Sequence, residues 1–572
     1  MRTLDWLVLI FTLASIVGYG LYKGRGTRNI RGFFLADKSM RWYTVAFAIM
    51  ATQASAITFT STPGQAYVDG MRFVQFYFGL PIAMVILSIT AVPIFHRLNV
   101  YTAYEYLEHR FDLKTRVLTS IIFLIQRGLA AGMTIYAPSI VLSVILGWDV
   151  RLTSTIIGGM IIIYTTTGGV KSVNWTDFQQ LLIIMFGMAA AFFMTIYLLP
   201  SDISFTDALH VAGGMGKLNL IDFSFDLENR YNFWSGIIGG LFVALAYFGC
   251  DQSQVQRYLT GQSITQSRLG LLFNGIAKVP MQYFILLLGA MVFVFYQFEQ
   301  SPLFFNPVET TRVLESEYGK EYRELENRYG EAQNRKSEML RNYLKSKDAD
   351  DPNFVEDARQ QLLSAQHHAD SIRTAAIGIL QRNDPSIDPK DTNYIFLSFV
   401  VKYLPAGLVG LILACIFAAS MSSTSGELSA LTSTTVIDIY KRLITSEASE
   451  RHYLMISRLL TAFWGIYAIG FAHYASRLGS LIEAVNILGS LFYGTLLGVF
   501  LLAFYIKFVR GTAVFIAAFV GEIAVLYCFA FTTISWLWYN VVGCGVVVVT
   551  AILLEVVTQK QKAPPEMVRV DF

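Results

Sequence analysis

Apolar residues gather in runs of about 20, long enough for a helix to cross a hydrocarbon core roughly 30 Å thick. The runs fall at 4–22, 42–66, 73–95, 117–147, 152–168, 177–199, 233–250, 270–297, 393–438, 453–475, 478–505, 511–532 and 534–556. They predict an all-α polytopic membrane protein of about thirteen transmembrane helices. The run from 393 exceeds one simple crossing and predicts an oblique lead-in helix. The first run has one Arg before it, Asp5 at its start and no small-residue cleavage site, so it reads as a membrane helix and not as a signal peptide.

One segment departs from this pattern. Residues 305–391 are polar, with acidic and basic side chains near balance. Leu314, Tyr318, Tyr322, Leu325 and Tyr329 recur at steps of three and four, which predicts one helical stripe. Asp351-Pro352 predicts an N-cap with Pro in the first turn of a second helix. Val355, Leu362, Ala365, Ala369, Ile372 and Ala376 form its stripe. The expected organisation is 1–304 with eight helices, 305–391 as an extracytoplasmic helical hairpin, 392–556 with five helices, and 557–572 as a cytoplasmic tail. The hairpin reads either as a solvated appendage packed on itself or as a platform for an unknown partner.

Charge then sets topology. Lys23, Arg25, Arg28 and Arg31 follow the first run, and loops on the same side carry Arg110, Arg116, Lys171, Arg257, Arg442 and Lys507. Short loops on the opposite side carry few cations, among them Arg72, Arg151, Lys217, Arg230 and Arg477. The positive-inside rule places the N-terminus outside and the C-terminus in the cytoplasm of a plasma (inner) membrane. Charged residues make up 15% of the 572 and hydrophobic residues 54%, against the composition of a soluble protein. A net charge of +3 is too small to suggest nucleic acid. The four cysteines lie in apolar runs without paired spacing and read as small core residues.

Ionisable groups inside a membrane are costly, by about 2.5 kcal/mol or more at the centre, and point to function or to pairing. Asp177, Asp251, Lys278 and Glu483 lie in or at the ends of apolar runs. The bland alternatives are hydration at a helix end for the acids and snorkelling for the lysine. The stretch Ala48 to Gly64 is dense in small and hydroxyl residues and ends in Pro63-Gly64. It reads as a helix that unwinds at membrane depth, where freed carbonyls line a cavity or bind an ion, or as a tightly packed one. Ala419, Ser422 and Ser423 share a face at i, i+3 and i+4. Two hydroxyls and a carbonyl there, facing two freed carbonyls, suit a hard cation such as Na⁺. The alternative is hydroxyls bonding back to their own helix.

Four motifs, in order, carry a resemblance. They are Tyr104-Glu105-Tyr106-Leu107-Glu108-His109-Arg110-Phe111, the run Gly168 to Asp177, the run Asp251 to Leu259 (DQSQVQRYL), and Leu431 to Tyr440. Together they resemble the sodium:solute symporter family over about 30–556, without the 305–391 insert. The resemblance implies a LeuT-type fold, with inverted five-helix repeats and broken first and sixth repeat helices. It implies a Na⁺ site from the carbonyls of Ala51, Ala54 and Ala419 and the hydroxyls of Ser422 and Ser423. A second Na⁺ would use Asp177, Ser422 and Ser425, although the family's last serine position falls on Gly426. Where sugar carriers place polar partners, this chain has Thr58, Tyr77 and Leu80, which turns the resemblance toward the monocarboxylate, vitamin and iodide branch. Gln53, Thr58, Phe59, Phe76, Asp251, Lys278, Glu483 and Asn486 are the expected solute-pocket residues.

The expected activity is Na⁺-coupled import of a small organic solute by alternating access, with Na⁺ as the co-transported ion and the lipid bilayer as surroundings. A sugar, sialic acid or uronic acid is the alternative solute, and a transporter-like sensor the alternative class. An enzyme is not expected, since no carboxylates pair with metal-type spacing of the seven histidines. One Na⁺ moving through 100 mV releases about 2.3 kcal/mol. A tenfold gradient adds about 1.4 kcal/mol.

Overall fold

The computed structural model describes residues 2–24, 29–347, 351–475 and 480–561. Arg25, Arg28, Arg477 and most of the expected tail lie outside the described residues. All regular structure among the described residues is helical.

Ten of these helices are long and apolar enough to cross a membrane, or eleven if one bent pair counts as a span. The count falls below the expected thirteen because several crossings are not single continuous rods. The run expected at 42–66 is two helices, α2 (Trp42–Gln53) and α3 (Ala56–Asp69). The chain leaves α-helical geometry between them, with Ala54 at φ −90° and ψ 66°. The run at 152–168 is present as a shorter apolar helix. It continues into the next across Gly169, whose φ of 63° only glycine adopts readily. Together these make α5 (Val150–Tyr197), which packs against α1 (Thr3–Gly24). The bent pair is α6 (Gly240–Gly249) and α7 (Gln252–Leu259), turning by 59° at Cys250-Asp251. Two long unbroken helices, α4 (Leu113–Leu146) and α8 (Ile264–Phe298), flank these breaks.

The insert forms α9 (Gly319–Ser346) and α10 (Pro352–Asn383), which pack on each other. Asp351 caps α10 by accepting from the Asn353 amide, and Pro352 opens the helix, since its missing N–H is an orphan donor there anyway. Tyr322, Tyr329, Ala369, Ile372 and Ala376 from the two stripes share one small core. The hairpin does not pack only on itself. Leu340, Tyr343 and Leu362 join the main core. Tyr343 stacks on His210, Arg359 donates to the Gly214 carbonyl at 2.7 Å, and Lys347 pairs with Asp207 at 2.8 Å. The lysine and the Ser204 cap hold the Asp207 carboxyl down at about 2. The chain then returns to the bundle through Thr392–Tyr403, α11 (Leu408–Thr434) and α12 (Leu481–Tyr505).

Three cysteines are buried, Cys528 is partly so, and none is paired.

Candidate functional site

The break between α2 and α3 faces α11. The last carbonyls of a helix lose their partners four residues on, so the end of α2 presents acceptors to whatever lies opposite. Ser423 on α11 donates to the Thr52 carbonyl at 3.3 Å. Ala51, Ala54, Ala419 and Ser422 are buried in the same core. Ser422 donates to Asp177 of α5, while Ser425 turns back to the Ser422 carbonyl of its own helix at 3.1 Å.

Asp177 is fully buried and not a hydrated helix end. Its counter-ion is Arg257 of α7, at 3.6 Å, which also donates to the Asn174 side chain at 2.7 Å. Arg257, expected in a cytoplasmic loop, is 1% exposed because the bend at Cys250-Asp251 carries α7 into the core. Gly426 makes room for it: a Cβ there would lie 2.3 Å from a guanidinium nitrogen. The glycine at the family's last serine position thus coincides with a fixed cation beside Asp177.

A second charged cluster surrounds the bend in α6–α7. Asp251 caps α7 through the Ser253 amide at 2.8 Å, at the end of the helix dipole that favours an anion. Its other oxygen accepts from Tyr493 at 2.8 Å and from Arg127. Arg127 donates to Glu427 of α11 at 3.0 Å and to the Tyr493 hydroxyl at 2.8 Å. Arg127 and Glu427 were not among the candidates from sequence. Both are ionisable residues inside apolar runs, so the test that selected Asp177 and Lys278 also selects them.

A cavity of about 110 Å³ lies against the second cluster, with Arg127, Glu427 and Tyr493 on its wall. Of the expected lining residues, Gln53, Thr58, Phe76 and Asn486 are on its wall, together with Gln126 and Arg127. Arg127 Nε, Gln53 Oε1 and Gln126 Oε1 are buried there without a protein partner. Phe59, Asp251, Lys278 and Glu483 do not line it. Phe59 packs in the main core. Asp251 stands behind Arg127. Lys278 is buried behind Tyr77, its ammonium 5.6 Å from the ring centroid. Glu483 lies on α12 between the lining residues Ile482 and Val485, but is not on the wall. It accepts from Arg230, from Tyr231 at 3.4 Å and from Gln65 at 3.5 Å, and so ties α3 and α12 to the loop before α6. Thr58, Tyr77 and Leu80, which stand where sugar carriers have polar partners, all face the cavity.

The family profile described as "Sodium:solute symporter family" matches residues 33–317 and 386–521. The chain is 27% identical to the sodium-coupled monocarboxylate transporter 1 of Homo sapiens, over 91% of this chain and 71% of that protein. It is 25% identical to the sodium/sialic acid symporter NanT of Aliivibrio fischeri, over 96% of this chain and 92% of the relative. Among solved structures, the substrate-bound outward-open state of a Na⁺-coupled sialic acid symporter matches with a TM-score of 0.74 at 23% identity, covering 97% of this chain and 98% of the other.

Proposed function

We infer that this chain, which belongs to the sodium:solute symporter family, carries a monocarboxylate of benzene-like size inward together with one Na⁺. The observation that carries this reading is Arg127 Nε, a cationic donor without a protein partner on the wall of a small cavity. A cavity of about 150 Å³ holds benzene. One of about 110 Å³ therefore suits a three- or four-carbon acid and is too small for a nine-carbon sugar acid. A carboxylate on Arg127 Nε leaves the Gln53 and Gln126 amides for a hydroxyl or keto oxygen. The monocarboxylate relatives favour the same class.

Na⁺ takes the carbonyls of Ala51, Ala54 and Ala419 and the hydroxyls of Ser422 and Ser423, a shell of neutral oxygens suited to a hard cation. Asp177 and Ser425 do not form a second seat here, because Arg257 already neutralises the aspartate. Coupling follows from adjacency. The break that offers carbonyls to the ion also places Thr52, Gln53 and Ser55 on the cavity wall. The ion selects the arrangement of this break that binds solute, which is the differential contact a coupled equilibrium requires. The chain sits in the plasma (inner) membrane with its N-terminus outside, its C-terminus in the cytoplasm and the insert outside. The Gln65–Glu483–Arg230 network then closes the outer end of the pathway.

Uptake into proteoliposomes tests the reading, with labelled lactate, pyruvate and sialic acid. Lactate or pyruvate should accumulate only with an inward Na⁺ gradient. One Na⁺ with one monovalent anion moves no net charge, so an imposed membrane potential should not change the rate. Na⁺-dependent uptake of sialic acid alone would replace the solute class. The NanT likeness along nearly the whole chain favours that second reading.

A further inference from the structure

The insert meets the bundle around a second, larger cavity of about 430 Å³. Its wall carries three cations, Lys217, Lys336 and Arg373, and the carboxylate of Asp370. Two of the cations are engaged. Arg373 grips Asp391 at 2.6 and 2.7 Å, and Lys217 donates to the Val68 carbonyl, with Asp69 in electrostatic range. Lys336 differs. It is 2% exposed, yet its ammonium hydrogen-bonds to no protein atom and has only the more distant field of Asp370. Burial accordingly lowers its pKa to about 8.

A buried ammonium without a partner is expensive, and the groups around it are unpaired in a matching way. Arg373 Nε is a buried donor without a partner. Gln297 Oε1 and Gln366 Oε1 are buried acceptors without partners. Their orientation is fixed, because the Gln297 amide nitrogen donates to the Phe293 carbonyl and that of Gln366 to Asp370. The cavity thus offers cationic donors at Lys336 and Arg373, and neutral acceptors at Gln297 and Gln366. A carboxylate alone satisfies only the first pair, and a neutral polyol can bond to both but leaves the cations without a counter-charge.

We propose that this cavity is a binding site for a small carboxylate that also bears hydroxyl groups, its carboxylate on Lys336 and Arg373 Nε and its hydroxyls donating to Gln297 and Gln366. Lys336, Gln366, Asp370 and Arg373 all lie in 318–385, the segment left out of the family match, while Gln297 of α8 and Lys217 come from the matched part. Tyr67 of α3 is also on the wall, which places the ligand against the outer part of the helix that follows the break. The site stands apart from the central cavity and does not depend on what that cavity carries.

The probe is gluconate, a hydroxylated carboxylate too large for the central cavity. Purified protein in nanodiscs is titrated calorimetrically with gluconate, with sorbitol (hydroxyls only) and with hexanoate (carboxylate only, with gluconate's carbon count and so likewise too large for the central cavity). Gluconate should bind saturably, and the other two at least tenfold more weakly. Lys336→Met keeps the length of the side chain and removes the charge. It should weaken gluconate binding at least tenfold without lowering the unfolding midpoint. A second measurement needs no variant: carbamylation of Lys336 by cyanate, followed by mass spectrometry, should slow at least threefold with gluconate and not with sorbitol. Absence of gluconate binding, binding unchanged by Lys336→Met, or carbamylation indifferent to gluconate would each overturn the proposal.

Discussion

Two buried charge clusters, one around Asp177 and one around Asp251, are built differently. Around Asp177 one carboxylate meets one guanidinium at 3.6 Å, and the aspartate also takes a hydroxyl from Ser422. Around Asp251 one guanidinium, that of Arg127, serves two carboxylates and a tyrosine. The first cluster is neutral and lies beside the proposed ion seat. The second sets one cation against two carboxylates, and its Arg127 and Glu427 form part of the solute wall. A neutral pair can hold a helix face in place without competing for the ion. An arginine shared among three acceptors, with its Nε–H still free, can shift its partners when an anionic solute arrives.

The comparison predicts a ranking of effects. Arg127→Met leaves two buried carboxylates without their cation, so it should cost about 3–5 kcal/mol and sharply reduce the folded protein recovered. Thermal unfolding in detergent measures it. Arg257→Met strands only one carboxylate, still held by Ser422, and should cost nearer about 3 kcal/mol, the lower end of that range. An Arg257→Met defect equal to or larger than that of Arg127→Met would break the contrast between the clusters. Ser423→Ala removes one ion ligand and no charge. It should raise the Na⁺ concentration for half-maximal transport about tenfold, equivalent to about 1.4 kcal/mol, with stability unchanged. Gln53→Ala should be smallest, raising the solute KM by a few-fold for the loss of one hydrogen bond worth about 1 kcal/mol. It should leave the Na⁺ dependence in place, and an equal shift in both would merge the ion and solute functions that the comparison separates.

Much of this was legible in the chain. The small and hydroxyl residues from Ala48 to Gly64 announced the break in the first repeat helix, because weak helix formers with little side-chain bulk collect where backbone must open. Asp351-Pro352 announced the start of α10 through local capping chemistry alone. The DQSQVQRYL run carried the family resemblance, but neither the bend beside it nor its consequence. The 59° bend brings Arg257 from an apparent loop into contact range of Asp177, and no local pattern encodes that distance. Arg127 and Glu427 were accessible to the same argument about buried charge, but each lies within a long apolar run that reads first as membrane helix. The interruptions within the runs were less legible, since hydropathy locates apolar runs and does not say where the rods within them break. The docking of the insert was also hidden. Its stripes predict a hairpin, but not that the far end of the first stripe, at Tyr343, and Arg359 beside Val355 and Leu362 would meet the bundle.

The central claim is that the α2–α3 break holds the ion and the solute together. It is tested most directly by measuring equilibrium binding of lactate to protein in nanodiscs over a range of Na⁺ concentrations, for the wild type and for Ser423→Ala. The account predicts that Na⁺ tightens lactate binding to the wild type at least tenfold, and that Ser423→Ala needs about tenfold more Na⁺ to reach the same lactate affinity. Lactate binding that ignores Na⁺ in the wild type, or a Ser423→Ala curve superimposed on the wild-type one, would contradict it.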